Sequence, residues 1–262
     1  SIDGIPLDNP DLDWSLRATS TPHSPHSVER TSLRIPGAPG VVPDVDHPLE
    51  ALTAPTIGRV VRTPAVNFGA LTSLLLTGRK LALTAAPARE AVIESLTVPP
   101  EGSGDADAWE EIAATMRLPG VFWRDVAQTT HTTALGAATV TADAWNMDGL
   151  VTDAVIRVRG AATGLRVESD YAYFEYSGAL TAAQYLRYEC ATGRSWVTNT
   201  DSWSGGTEVS GQVSADGPAG KFGLFPTRLG ALLSRARTTV RTATRAGAQI
   251  EIRGKGAHLV VV

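Results

Sequence analysis

The chain has 262 residues, a hydrophobic fraction of 43% and a formal net charge of −4, which predicts two folded units of ordinary globular composition. It contains no apolar run of about 18 residues, which excludes a helical membrane span, and its single cysteine, Cys190, excludes an intrachain disulfide framework. The first residues also lack the basic stretch and apolar core of a secretory signal peptide.

The N-terminal part of the chain is irregular. Residues 13–16 (Asp-Trp-Ser-Leu) predict a short strand, whereas residues 20–45 are rich in Ser, Pro, Gly and His, which favours a long loop or arm. Loops of this length are uncommon inside compact domains and are often functional, so we consider an arm that reaches a neighbouring subunit. Residues 56–63 alternate between apolar and polar side chains and predict the next strand.

One helix is predicted in this half. From Phe68 onward apolar residues recur at helical spacing, and Gly78 follows as a stop signal. This pattern predicts an amphipathic helix over residues 67–77. Strands are expected after it, at residues 81–85 and 91–98.

The segment 107–118 fits two patterns. Trp109, Ile112 and Met116 share one face of a helix, whereas Ile112, Met116 and Leu118 share one face of a strand. Periodicity alone leaves both interpretations open.

The second half reads as short strands rich in β-branched and aromatic residues. Gly160, Gly178 and Gly193 separate the runs at roughly the spacing of an antiparallel sandwich. Residues 226–234 look like a short helix. The predicted strands cover residues 155–159, 164–168, 171–176, 185–190, 235–245, 248–253 and 258–262. This half is therefore predicted to be an all-β sandwich.

Charge is distributed unevenly, because acidic residues dominate positions 1–50 and basic residues dominate positions 221–262. Two interpretations stay open: solvated faces of opposite sign, or contact between neighbouring copies of the chain in an oligomer. No aromatic residues interleave with the arginines, which disfavours nucleic-acid recognition. For an oligomer, the candidate interface residues are Asp11, Asp13, Ile35, Pro36, Arg237 and Arg241.

No catalytic constellation is evident in the sequence. A Gly-x-Ser-x-Gly elbow is missing, so nucleophilic hydrolase chemistry has no support. His23 and His26 precede Asp44 and His47, but their spacing is not that of a zinc site, so neither a metal nor a cofactor is expected. Cys190 is expected to be a small buried hydrophobe. We predict that the protein is not an enzyme.

Two tryptophans mark a candidate binding surface. Trp196 and Trp203 flank a polar segment, and aromatic rings beside amide and carboxylate groups are typical of sugar-binding surfaces. The candidate carbohydrate site comprises Trp196, Asn199, Asp201 and Trp203. The alternative is that both rings cap the core of the sandwich.

Five segments together carry a resemblance to a known family. They are the opening Ile2-Asp-Gly-Ile5, the arm Ile35-Pro-Gly-Ala-Pro-Gly40, the helix with Leu71 and residues 74–76, residues 116–124, and residues 148–160. In this order they resemble the distal tail proteins of siphovirus-type phages, also called phage tail or minor tail proteins. The resemblance covers nearly the whole chain.

The resemblance implies a mainly β fold with two domains. Residues 1–134 would form a β-sandwich-like ring domain with one α-helix and an extended arm at about 20–45. Residues 138–262 would form a galectin-like antiparallel β-sandwich. The resemblance also favours a strand at 107–118, places the last strand of the first domain near 116–125, and leaves about 128–138 as a linker.

The function implied is structural. Such a protein is a virion component of the phage tail tip, made in the host cytoplasm, that forms a homo-oligomeric ring, usually a hexamer. The ring connects the tail tube protein to the baseplate hub protein around the channel through which DNA passes without specific binding. The second domain faces outward and carries a receptor-binding protein or contacts a host glycan. No catalytic residue, cofactor or membrane insertion is implied. The alternative function is a carbohydrate-binding module that recognises host cell-wall glycans through Trp196 and Trp203.

Overall fold

The computed structural model describes residues 1–8, 11, 14–16, 32–33, 42–43, 52–61, 66–83, 89–93, 95–97, 109–118, 122–229 and 234–258. The chain divides into a first compact unit that ends at Trp123 and a second unit over Arg124–His258. Strand residues outnumber helical residues by far among the described residues, which confirms the predicted mainly β class.

The first unit is built from short antiparallel pairs and one helix. Its elements are β1 Trp14–Leu16, β2 Ser32–Leu33, β3 Val42–Pro43, β4 Leu52–Val61, α1 Val66–Thr77, β5 Lys80–Leu83, β6 Arg89–Val92, β7 Ser95–Thr97 and β8 Trp109–Leu118. One sheet has the strand order β1-β4-β8-β7, while β2 pairs with β3 and β5 pairs with β6. The strands predicted near 13–16, 56–63 and 81–85 are confirmed.

The segment with two possible patterns is a strand. β8 pairs with β4 along its whole length, from Trp109↔Val61 to Leu118↔Leu52, and it pairs with β7 on its other edge. The backbone hydrogen bonds of a ten-residue ladder therefore decide what periodicity left open. The single strand predicted at 91–98 is two strands, because β6 pairs with β5 whereas β7 pairs with β8.

The helix agrees with its prediction. Leu71 and Leu75 are buried on one face of α1, while Leu76 is 61% exposed. The helix stops at Gly78, whose N–H donates to the carbonyl of Leu74 in the last turn. A Cβ at this position would overlap the fully buried side chain of Ile2, so a residue without a side chain is needed there.

The second unit is built around one 11-stranded antiparallel sheet that folds into two layers, sheet A and sheet B. From β9 at the boundary onward its strands are β9 Trp123–Asp125, β10 Thr129–Ala134, β11 Thr139–Asn146, β12 Val155–Ser169, β13 Ala172–Leu180, β14 Tyr185–Glu189, β15 Arg194–Thr198, β16 Thr207–Glu208, β17 Val213–Asp216, β18 Pro226–Arg228, β19 Ser234–Arg241, β20 Thr244–Gly254 and β21 Ala257–His258. Sheet A has the order β10, β20, β12, β14, β15, β16. Sheet B contains β11, β19, β12, β13 and β17, with β18 beside β19.

Aromatic rings join the two sheets in the core. Phe174 of β13 and Tyr188 of β14 stack with ring centroids 4.4 Å apart and planes 2° from parallel. Since β13 belongs to sheet B and β14 to sheet A, the inner faces of the sheets meet here. Phe222 packs edge-on against Phe174, and its N–H donates to the Tyr188 hydroxyl at 3.0 Å, which satisfies the buried phenol. The predicted antiparallel sandwich is confirmed.

β12 belongs to both sheets because it bends at glycine. One edge pairs with β14 over residues 155–159 and with β13 from Ala162 on, while the other edge pairs with β20 over residues 155–163 and with β19 over residues 166–168. Gly160 lies at the change with φ +89°, and the register with β20 shifts around it. The predicted strand break at Gly160 is therefore a β-bulge, since pairing resumes at Ala161.

Three other segments differ from their predictions. Thr129–Ala134 falls in the predicted linker at 128–138, yet it is β10 and pairs with β20, so the unit boundary lies before it instead of at 134–138. Its polar residues suit an edge strand of sheet A as well as a linker. Pro226–Arg228 is β18 instead of the start of a helix, because its backbone pairs with β19. Gly178 lies inside β13, not at its end.

The bend at Gly160 gives the first prediction. A Cβ there would lie 2.9 Å from both the Ala248 Cα and the Gly247 carbonyl oxygen, in a backbone conformation that disfavours side chains. We expect Gly160→Ala to lower the free energy of unfolding by roughly 1–3 kcal/mol, measured by urea denaturation. Gly136→Ala is the control, since Gly136 has open space around its Cβ position. Equal denaturation midpoints for the two variants would contradict this account of the bend.

Candidate functional site

The described residues include only part of the predicted oligomer interface. Asp11 is exposed. Asp13, Ile35 and Pro36 lie outside the described residues, as does most of the predicted arm at 20–45. Within the arm, Ser32 pairs with Pro43 and Leu33 with Val42.

The outer face of sheet A carries a row of polar residues. Ile156 and Val158 point into the core, so Arg157 and Arg159, which alternate with them along β12, project from the outer face. Directly paired residues share a face of a sheet. The row through Arg157 is, in strand order, Thr132, Glu251, Arg157, Arg187, Trp196 and Glu208.

Arg157 is the buried centre of this row. Its side chain is only 4% exposed; its Nε donates to Glu251 Oε2 at 2.5 Å, and its Nη1 lies 2.6 Å from Asp201 Oδ1. Burial acts to lower the pKa of Arg157, but the hydrogen bonds and attraction of Glu251 and Asp201 outweigh it, so the pKa is raised. The guanidinium is therefore a fixed positive charge held between two carboxylates.

The two predicted tryptophans cover arginines. The Arg157 Cζ lies 4.2 Å from the ring centroid of Trp203, and the Arg253 Cζ lies 5.1 Å from it. The Arg187 Cζ lies 4.4 Å from the ring centroid of Trp196. Both rings therefore pack as cation–π partners on the outer face of sheet A and do not cap the core between the sheets.

Three of the four predicted carbohydrate-site residues come together on this face. Trp196, Asp201 and Trp203 surround the arginine row through the contacts above. Asn199 lines a separate cavity of about 430 Å³ together with Tyr176. Sequence reasoning missed the arginines beneath the tryptophans. The available signal was the alternation of Ile156, Arg157, Val158 and Arg159, which marks a strand with a charged outer face.

The two predicted interface arginines lie on the outer face of sheet B, and each binds a carboxylate of its own chain. Arg237 donates from Nε and Nη2 to the two oxygens of Asp143, at 2.7 and 2.8 Å. Arg241 donates from Nε to Glu168 at 3.0 Å. The hydrogen bond from Arg237 lowers the pKa of Asp143, and that from Arg166 is the main cause of the lowered pKa of Glu168.

Other kinds of site find little support in the described part of the chain. Among those residues no group of three or more His, Cys, Asp or Glu side chains is placed to hold a metal ion. The candidate ligands His23, His26, Asp44 and His47 lie outside them. Cys190 is 1% exposed, as predicted, and burial raises the pKa of its thiol, which makes it a poor nucleophile. None of the described helices is both long and apolar enough to span a membrane.

Comparison with solved structures gives a whole-chain match. The fold is similar to that of the SPP1 Dit (gp 19.1) protein, described as a paradigm of the hub adsorption apparatus in phages that infect Gram-positive bacteria. The TM-score is 0.59 at 14% sequence identity, and the match covers 97% of each chain. The two chains share a fold. The predicted resemblance to phage distal tail proteins is confirmed at that level.

Two further matches come from the activated baseplate of phage p2. The structure with Sr gives a TM-score of 0.36 at 9% identity, covering 93% of this chain and 91% of the other. The structure with Ca gives 0.34 at 8% identity, covering 92% and 90%. Scores this low carry no argument about this chain. No family model and no curated protein sequence matches it.

The buried pair on sheet A gives a prediction about stability. Arg157→Met leaves Glu251 largely buried without its cation, so we expect a loss of roughly 3–5 kcal/mol in the free energy of unfolding. The matched control is Arg194→Met, because Arg194 pairs with Glu208 at the surface, where such pairs contribute about 1 kcal/mol or less. Urea denaturation of both variants measures the difference. Similar losses in the two variants would show that the buried ion pair contributes no more to stability than the surface pair does.

The Asp143–Arg237 pair gives a prediction about pH. The folded-state pKa of Asp143 is lowered, so the pair stabilises the fold fully above the usual Asp pKa of about 4 and loses its effect as pH falls through the lowered pKa. We therefore expect the stability difference between the wild type and Asp143→Asn to be constant near neutral pH and to shrink in acid. Denaturation at a series of pH values measures it. A difference that does not change with pH would contradict the prediction.

Proposed function

We propose that this chain is a structural component of a phage tail tip, a distal tail protein of the siphovirus type. The observation that carries the proposal is the fold shared with SPP1 Dit over 97% of both chains. The resemblance noted in the sequence points to the same family from independent features. The proposal places the protein in the virion and gives it no catalytic role.

The more specific proposal is that copies of this chain assemble into a closed ring. Six copies would close a cycle that connects the tail tube protein to the baseplate hub protein, with DNA passing through the central channel. A cyclic ring needs two different complementary surfaces on each copy. The uneven distribution of charge along the chain supplies candidates for these surfaces.

Arg237 and Arg241 keep a place in this interface although both bind carboxylates of their own chain. Their side chains are 36% and 58% exposed. A guanidinium has five N–H donors, and among the described residues Arg241 uses only its Nε–H. A neighbouring copy could therefore add a carboxylate, for which Asp11 and Asp13 of the acidic segment are the proposed source. Ile35 and Pro36 of the arm would supply apolar contacts.

The Trp196 and Trp203 cluster gives weaker support to the alternative of a carbohydrate-binding module. One face of each ring already packs on an arginine, and Asp201 already binds Arg157. The polar groups that a sugar would need are thus engaged within the chain. We therefore regard this cluster as stabilising sheet A, and keep a receptor-binding protein or a host glycan as partners of other surfaces of the second unit.

The ring is tested by the mass of the full chain in solution. We expect mass photometry and light scattering to show a closed species of about six times the 27.5-kDa chain mass, and electron microscopy to show a central hole. A protein that stays monomeric across the micromolar range would overturn the ring.

The charged surface is tested by charge reversal. We expect the double variant Arg237→Glu, Arg241→Glu to reduce the ring to smaller species, and we expect salt to weaken the wild-type ring, since exposed charges are screened. Arg194→Glu is the control, because Arg194 is about as exposed as Arg241 but lies on sheet A. Circular dichroism checks that both variants remain folded. Intact rings in the folded double variant would remove these arginines from the interface.

A further inference from the structure

A groove on the outer face of sheet B offers a site that the proposed structural role does not use. Its volume is about 560 Å³, within the range of small-ligand pockets. Part of its lining is one row of paired residues across four strands, Asp216, Tyr173, Glu168 and Thr239. Tyr171 stands at one end of this groove, in the hairpin between β12 and β13.

Tyr171 has a backbone conformation that disfavours a bulky residue, and its aromatic ring is exposed to solvent. Ser169 and Ala172 close a two-residue turn, in which Tyr171 has φ +62°. This left-handed region favours Gly or Asn, and a bulky residue there is an outlier. Its side chain is also 89% exposed, the most exposed large hydrophobic side chain among the described residues. Strain combined with an exposed aromatic ring indicates selection for something other than stability.

Contacts with the segment after β17 hold the turn that carries Tyr171. The Ser169 hydroxyl accepts the N–H of Phe225 at 2.9 Å, and Asp170 Oδ2 accepts the hydroxyl of Thr227 at 3.0 Å. The Tyr171 ring meets the Phe225 ring edge-on, with centroids 5.6 Å apart, and the rest of it is exposed. The backbone that presents the ring is therefore fixed, while the ring itself stays open to a ligand.

The charges of the groove exclude an anion as the preferred ligand. Arg166 lies over the Tyr173 ring, with its Cζ 3.8 Å from the centroid, and it binds Glu168 and Glu175. Arg237 is bound by both oxygens of Asp143. Both arginines that line the groove are therefore neutralised within the chain, so an anionic ligand would compete with carboxylates already in place.

Two exposed carboxylates remain available as acceptors. Asp170 uses one oxygen toward Thr227, and Asp216 uses one toward the N–H of Gly217. Both side chains line the groove and both residues are exposed. Carboxylates accept hydrogen bonds from hydroxyl groups, while the hydroxyls of the two tyrosines and of Thr239 can donate or accept.

We propose that this groove binds a neutral saccharide. The apolar C–H face of a sugar ring stacks on Tyr171, and its hydroxyls donate to Asp170 and Asp216. A peptide fits less well, because the groove is mainly polar and three of its four strands, β13, β12 and β19, already pair on both sides. The site rests on the proposed function in one respect, since it gives the host-glycan partner of the second unit a place and a chemical class. It does not depend on ring formation, so the ring and the saccharide site fail independently.

The test uses the full chain and neutral oligosaccharides of hexoses and N-acetylhexosamines, first on a glycan array and then by calorimetry with the strongest binder. We expect Tyr171→Ala to weaken binding by about tenfold or more, and Tyr171→Phe, which keeps the ring, to stay within about threefold of the wild type. Asp216→Asn should weaken binding too. Trp203→Ala, on sheet A, should leave it unchanged.

A second variant separates binding from folding. Tyr171→Gly removes the strained side chain, so we expect a higher melting temperature together with loss of saccharide binding. A lower melting temperature would show that Tyr171 serves the fold. The proposal is overturned if no neutral saccharide binds at millimolar concentration, if phosphorylated or acidic saccharides bind better, if Trp203→Ala abolishes binding, or if a peptide occupies the groove and saccharides do not displace it.

Discussion

The second unit depends on one strand that pairs with four others. One edge of β12 pairs with β14 before Gly160 and with β13 after it, while the other edge pairs with β20 as far as Thr163 and then with β19. The first edge changes partner at Gly160, where the strand bends beside the backbone of Ala248 in a positive-φ conformation that favours glycine. Because one continuous backbone runs through both sheets, the stacked rings of Phe174 and Tyr188 and the outer faces on either side are fixed in relation to each other.

The two outer faces use arginine in the same way. On sheet A, Arg157 is held by Glu251 and Asp201 beneath the ring of Trp203. On sheet B, Arg166 lies over Tyr173 and binds Glu168. In each case carboxylates neutralise the guanidinium while an aromatic ring covers it, which allows dense charge on a sheet surface without a strong local field. The arginines that look available in the sequence are therefore mostly engaged.

Because the arginines and tryptophans are engaged with each other, the aromatic surface that is open to a ligand lies elsewhere on the second unit. Tryptophans are the usual markers of a carbohydrate surface, yet here they cover arginines and lie half-buried. Within the described residues the exposed aromatic side chain is that of Tyr171, in a turn whose positive φ disfavours a bulky residue. Under the proposed function, the tail-tip role and the proposed saccharide contact would use different residues of the second unit.

The sequence by itself determined the mainly β class, the helix near 67–77, the strand-rich second half and the resemblance to phage distal tail proteins. These follow from local periodicity and from the order of segments, which any single chain displays. Periodicity left residues 107–118 open, the family resemblance favoured a strand, and the ladder over Trp109–Leu118 confirms it. Only the tertiary structure decided that Thr129–Ala134 belongs to sheet A and that Gly160 bends a strand without ending it. It alone joined Arg157 to Glu251, 94 residues away, and placed Tyr171 and Asp216 around one groove. Such pairs depend on the register of hydrogen bonds between strands that are distant in sequence, and no local pattern encodes that register.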